Sequence, residues 1–356
     1  MHPRLKGALP GLMIVVGSQF ATGDRRIVPL ATTDRALAPS AFGAAERRII
    51  PFTFAIDTLV DGNADATLGR PLMLSASDSL IVYFDFGDNY LAAIDARGKP
   101  KWKLGRRGQG PGEWSRPTTI VAASNGGVAV FDAGTNRLVR VDANGRITRN
   151  VTRSEPLDRL GKHTGGQYIA FAGSTGRPRA ELLDSGLRII REVPWKGWPD
   201  SAQGIGNQTR IASGATGTSF PVSIFTGRIM PARPGPSFDS GIDAIDARAI
   251  PKKRVITGTD GIAFTTIPEG TPVVIRDAAV VGKYLFVLVS GAEFGGKLMD
   301  VYEMPSVRYR ASIRVPVELN AMSSTRTDVV AISNNPYPTI LRLKWDMRSL
   351  EAAIGR

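Results

Sequence analysis

From Leu80 to Val141 the chain alternates short apolar runs with polar breaks. Leu80–Phe84, Tyr90–Ile94, Val128–Phe131 and Leu138–Val141 are each closed by Asp, Asn, Gly or Arg. Runs this short, bounded by turn residues and rich in β-branched and aromatic side chains, predict strands. Their in/out alternation is weak, which predicts strands covered on both faces. No stretch sustains a 3.6-residue apolar period, and Ile242–Ile250 is the one moderately helical window.

The pattern repeats. PLMLSASDSLIVYFDFGDNYLAAIDARGK, from Pro71, aligns with PTTIVAASNGGVAVFDAGTNRLVRVDANGR, from Pro117. Asp85 matches Asp132, Asn89 matches Asn136, Asp95 matches Asp142 and Gly98 matches Gly145, each pair 47 positions apart. Pro71 and Pro117 are 46 apart, so one residue is inserted in the Ser77/Asn125 turn. A fixed period of about 40–50 residues with several strands per unit predicts propeller blades. Asp95-Ala-Arg-Gly98 and Asp142-Ala-Asn-Gly145 place Asp first and Gly fourth, as a type I turn favours. Asp85 and Asp132 open the preceding turn in the same way. All four aspartates are thus expected to be structural.

Later units are degenerate. Tyr168–Phe171, Ala180–Leu183 and Asp184-Ser-Gly186 read as a third unit. Arg210–Ala212 with Val222–Phe225, and Val255–Thr257 with Gly261–Thr266, read as parts of a fourth and fifth. Val280–Ser290, Leu298–Met304, Tyr309–Val315 and Val329–Ser333 read as the last full blade, and Ile340–Trp345 as a terminal strand. The expectation is an all-β, six-bladed propeller of four-stranded antiparallel blades, with seven blades as the alternative. Closure would pair the strand near Arg48–Asp57 with the C-terminal end, which removes exposed edges.

Gly105-x-x-Gly108-x-Gly110-x-Gly112-x-Trp114, Pro117, and Gly127-x-Ala129-Val130-x-Asp132-x-x-x-Asn136-Arg137-x-x-x-Val141 resemble the NHL-repeat consensus. GQGPGEW is similar to a segment of bacterial six-bladed propellers, many with export signals. The resemblance spans Gly105–Gly145, is moderate over Pro71–Lys99 and fades beyond Leu187. It implies the fold and no single activity, because the class includes binding modules, RNA binders and a few enzymes.

The remaining sequence divides around this domain. Residues 1–21 read as an export signal, with Arg4 and Lys6 before the apolar run Gly7–Gly17, which is too short to span a bilayer as a helix. Residues 22–47 read as a linker, 48–350 as the propeller and 351–356 as a tail. Export would make the protein periplasmic or secreted, with no transmembrane segment once the signal is removed.

The net charge is +13, the basic residues being spread as pairs plus the triplet Lys252-Lys253-Arg254. That excess favours anionic partners. The chain has no Cys and two His, His2 in the signal-like stretch and His163 in a Gly-flanked loop. A catalytic triad, a thiolate nucleophile or a His-rich zinc site is therefore disfavoured. Calcium-dependent lactonases are also six-bladed propellers, with a Glu-containing Gly-rich segment that binds metal. Here Gln109 stands in the acid's place and Glu113 lies four residues on. The glycine-rich loop precedes a strand and lacks the Lys-Ser/Thr ending, so it is not a phosphate loop.

Candidate binding residues are Arg106, Arg107, Trp114 and Arg116 around that loop, where a basic, aromatic rim could hold a sugar or anion. Trp195 and Trp198, between Pro194 and Pro199, are candidates for a contact platform. The alternative, favoured at Trp114, is a Trp packed between blades with solvated Arg neighbours; Trp195 and Trp198 could equally plug gaps between blades. The leading expectation is an exported, monomeric, non-catalytic propeller that binds a protein, glycan or anionic ligand through one face, without metal or cofactor. A metal-dependent lactonase or hydrolase is the second reading. A basic nucleic-acid binder is the third; export and the lack of interleaved stacking aromatics oppose it.

Overall fold

The structure is a computed structural model. It describes residues 26–28, 47–64, 68–123, 125–172, 179–194, 209–215, 217–230, 242–248, 254–257, 263–266, 271–290 and 294–355. The export-signal stretch 1–21, Trp195 and Trp198 lie outside the described residues.

Six antiparallel meanders form six blades. Blade 1 comprises Pro71–Ala76, Ile81–Asp85, Tyr90–Ile94 and Pro100–Leu104. Blade 2 comprises Pro117–Ala122, Val128–Asp132, Arg137–Val141 and Ile147–Thr152. Blade 3 runs through Arg159–Lys162, Tyr168–Ala172, Arg179–Leu183 and Ile189–Pro194. Blade 4 has Thr209–Ser213, Ser219–Ser223, Arg228–Ile229 and Ile242–Asp243. Blade 5 has Ile275–Val281, Tyr284–Val289, Leu298–Glu303 and Arg308–Arg314. Blade 6 takes Ala321–Ser324, Val329–Ser333 and Thr339–Lys344, and its fourth strand is Ala55–Asp61 from the N-terminal side. The first strands touch in cyclic order, blade 6 meeting blade 1.

The core lies between blades, which explains the weak alternation of the strands. Val82, Phe84 and Leu91 of blade 1 meet Ile120, Val130 and Val139 of blade 2. The opposite face of blade 1 puts Ile81, Tyr83 and Ile94 against Val330 and Ile340 of blade 6. Each sheet is thus covered on both sides, so consecutive residues are all apolar.

The inserted residue falls where the spacing predicted. Ala76 pairs Ile81 across one turn and Ala122 pairs Val128 across its longer counterpart. Gly98 and Gly145 donate to the carbonyls of Asp95 and Asp142 at 3.0 and 3.1 Å. Gly145 has φ +81°, and a Cβ there would lie 2.7 Å from the Trp102 ring, so only glycine fits without displacement. Asp85 accepts the amides of Gly69, Arg70 and Gly87; Asp132 accepts those of Ser115, Arg116 and Gly134. Each aspartate fastens the chain entering a blade to that blade's second strand.

The later chain departs from several expectations. Val255–Thr257 and the strand Ala263–Thr266 belong to a separate three-stranded sheet with Arg26–Val28, and not to a fifth blade. Arg26–Val28 itself falls in the stretch read as linker. Val329–Ser333 belongs to blade 6, because the ring closes with a strand borrowed from the N-terminal side and leaves room for a sixth blade after Val315. The helical window Ile242–Ile250 begins as the strand Ile242–Asp243, and the one α-helix among the described residues is Met347–Gly355. Its Leu350 and Ile354 pack with Ile50 and Phe54, so Ile354, in the stretch read as tail, helps to complete the core of blades 5 and 6.

Candidate functional site: a cationic layer in the central channel

The glycine-rich loop joins blade 1 to blade 2. The Trp114 amide donates to Arg106 O and the Gly108 amide to Trp114 O, at 2.9 and 3.0 Å, a parallel bridge between Arg107 and Trp114 that pinches the loop closed. Arg137 supports it from inside, donating to the carbonyls of Gln109, Gly110 and Glu113 at 3.1, 3.1 and 2.9 Å. Trp114 is 1% exposed, donates Nε1 to Leu104 O at 3.2 Å and meets Phe84 edge-on. Its indole packs the gap between blades and does not reach a rim. Arg106 has an 81% exposed side chain and pairs with Glu113 at 2.9 Å. The Glu113 carboxyl is held below its usual range by the Gly110 amide first and by Arg106 second. Arg107 is exposed; Arg116 is half-buried, with its Nε buried and without a hydrogen-bond partner among the described residues.

The pairing registers place one residue from each first strand in a common layer. Met73 lies opposite Phe84, Thr119 opposite Phe131, Arg159 opposite Phe171, Arg210 opposite Val222, Asp277 opposite Leu288 and Ala321 opposite Ile332. These are equivalent positions of the six blades, next to the end where each first strand begins. The connection carrying Arg106, Arg107 and Arg116 enters blade 2 at that same end. No motif in the sequence marks Arg159, Arg210 or Asp277; the only signal is their place at the start of degenerate first strands.

The charged members of the layer bind around the wall from blade to blade. Arg159 Nε donates to Thr209 O at 2.8 Å, and Arg210 Nε to Arg276 O at 3.2 Å. Asp277 accepts the amides of Ala278 and Met322 at 2.9 and 2.8 Å. Each group therefore leans onto the blade that follows its own, a geometry that fixes it at the channel wall. Arg159, Arg210 and Asp277 are half-buried, open toward the channel yet surrounded by protein. Thr119 is 8% exposed, and its Oγ1 has no hydrogen-bond partner among the described residues.

Electrostatics follow from that confinement. Burial first, then the neighbouring positive charge of Arg210, pushes Arg159 down to about 9, against the pull of Asp158 and Asp277. It stays charged at neutral pH. Burial raises Asp277, opposed by Arg210, the two amides and Arg159. The two cations repel, and one carboxylate sits in their layer.

Three residues further along each first strand the channel closes. That layer contains Ala76, Ala122, Lys162, Ser213, Val280 and Ser324. Lys162 donates its ammonium to Ala76 O, and Ser324 Oγ donates to Ser213 O at 3.0 Å, so both bonds cross between non-adjacent blades. Lys162 is 7% exposed, and burial pushes its amine down to about 8 despite Asp78. His163, in the turn that follows, places Nδ1 3.2 Å from Thr164 Oγ1. Among the described residues, no three His, Cys, Asp or Glu side chains gather as a metal site.

No protein-family model matches the chain, and no curated protein matches it in sequence. Solved structures do. Virginiamycin B lyase from Staphylococcus aureus is 14% identical, with a TM-score of 0.51 over 83% of this chain and 100% of that one. A candidate exported protein from Bacteroides fragilis is 14% identical, with a TM-score of 0.53 over 83% of this chain and 95% of that one. At such identities the likeness extends to the fold, and the chain is a six-bladed β-propeller.

Proposed function

We propose that the protein is an exported, non-catalytic propeller that binds a small anionic ligand at the open end of its central channel. The observation that carries this is the layer that holds Arg159 and Arg210 at the channel wall beside the carboxylate of Asp277. Confined cations with poor screening gain most from an anion, and guanidinium groups suit planar oxyanions. Arg106, Arg107 and Arg116 enter at the same end and would raise the local anion concentration. The signal-like residues 1–21 and the likeness to a candidate exported protein support export. The resemblance of Gly105–Gly145 to NHL repeats fits a binding module. A cationic layer repels Ca²⁺, which opposes the lactonase reading.

Calorimetric titration tests this with gluconate, inorganic phosphate, glucose and CaCl₂ at low and physiological salt. At least one anion should bind, more weakly as salt rises, and glucose should not. The double variant Arg159→Met/Arg210→Met should abolish binding while keeping the far-ultraviolet spectrum of a β-protein. Binding that survives the double variant, or saturable Ca²⁺ binding without anion binding, would sink the proposal.

A further inference from the structure

The ligand's chemistry can be narrowed, on the condition that the channel layer is an anion site. We infer that it takes a monoanionic carboxylate with a neighbouring hydroxyl, the chemistry of a hydroxy acid or sugar acid. The charge of the layer argues for one negative charge. Arg159, Arg210 and Lys162 of the layer beyond contribute three positive charges, and Asp277 and Asp158, next to Arg159, two negative ones, so a monocarboxylate neutralises the group. A dianion such as phosphate would be repelled by Asp277 in the same confined space.

The hydrogen-bonding capacity argues for the hydroxyl. Each Asp277 oxygen accepts one backbone amide, at 2.9 and 2.8 Å. A carboxylate has about four lone-pair sites, so acceptor capacity remains for a donor from the ligand. An aliphatic acid would cover that remaining capacity without satisfying it.

The arginines are fixed for this task. Both Nε atoms are spent on backbone carbonyls of the next blade, which orients each guanidinium plane. The terminal nitrogens of Arg210 form no hydrogen bond among the described residues. They form the edge that a carboxylate can meet bidentately. The closed layer at Lys162, Ser213 and Ser324 lets a ligand enter from one end only, so a threaded polymer chain does not fit.

The test compares gluconate with hexanoate and inorganic phosphate by calorimetry on the full chain. Gluconate should bind at least tenfold more tightly than either. Asp277→Asn should weaken gluconate about tenfold relative to hexanoate, whose own binding should not fall, because the variant also removes a repelling charge. Arg210→Lys should weaken both carboxylates at least fivefold, since an ammonium cannot present a planar fork. Hexanoate equal to gluconate, phosphate tighter than gluconate, or no effect of Asp277→Asn would overturn the inference while leaving an anion site intact. Absence of binding by every anion would instead remove the underlying reading. If Asp277→Asn fails to fold, the ranking of the three probes on the unmodified protein decides.

Discussion

Replacing Asp132 by alanine should cost about 4 kcal/mol, whereas replacing Asp142, ten residues later in the same blade, should cost under about 1 kcal/mol. Asp132 is fully buried and accepts the amides of Ser115, Arg116 and Gly134 at 3.0, 2.7 and 3.1 Å. It also accepts the Thr135 hydroxyl at 3.0 Å and Arg137 Nη2 at 3.4 Å. A hydrogen bond to a charged acceptor contributes about 1.5–3 kcal/mol. Bonds that share one acceptor do not add, and breaking a buried ionic cluster costs about 3–5 kcal/mol. Asp142 also accepts two amides, from Asn144 and Arg146 at 2.9 Å each, but in an exposed turn where water replaces it. Urea unfolding followed by tryptophan fluorescence measures the difference. With a slope of about 3 kcal/mol per molar, the Asp132→Ala midpoint should fall by more than 1 M and the Asp142→Ala midpoint by less than 0.3 M, both roughly. Asp85→Ala, with its three amides, should follow Asp132→Ala. Equal losses at Asp132 and Asp142 would refute the assignment of the buried aspartates as blade fasteners.

Trp114→Ala should lose about 3–5 kcal/mol through the cavity it leaves between blades 1 and 2, read as a lower urea midpoint, and should leave anion affinity within about twofold. Arg47 donates to Asp300 at 3.1 and 3.0 Å and also pairs with Asp246, so Arg47→Met strands a buried carboxylate and should cost about 3–5 kcal/mol. Adding Asp300→Asn should restore part of that loss in the same assay. For Lys162 the folded amine titrates near 8, below its ordinary 10.5, so in this window the unfolded chain binds the additional proton. The stability of the protein relative to Lys162→Met should therefore rise from about pH 8 to pH 10, and a flat difference in urea midpoints would refute the buried-cation reading.

Blades 1 and 2 were legible because their turns use residues with one conformational purpose. Asp85/Asp132 and Gly98/Gly145 stand in the sequence as fixed marks. Blade 3 keeps the Asp184 turn but places Leu187, at φ +66°, where the earlier copies have Gly, so the mark fades while the turn persists. At the position of Asp132, blades 3, 4 and 6 carry Ala172, Ser223 and Ser333, which misplaced the later blade boundaries. The channel layer was not legible, because Arg159, Arg210 and Asp277 become neighbours only through the register of separate sheets. The rim expected at Trp114 failed for a related reason: an aromatic beside glycines fits a surface platform and an interblade plug equally well, and burial decides between them.

Ring closure at blade 6 joins Ala55–Asp61 to Thr339–Lys344, nearly the full chain apart. Ile49–Ile50 meanwhile lies parallel to the outer strand of blade 5, and Arg48 donates to the last carbonyls of the C-terminal helix. A chain synthesised from its N-terminus must keep Ala55–Asp61 unpaired until Thr339–Lys344 has emerged. Five blades can accumulate in order while the sixth waits, with a bare sheet edge at each side of the gap. Blade 6 is then the last to be completed, and loss of either Ala55–Asp61 or Thr339–Lys344 breaks that same blade.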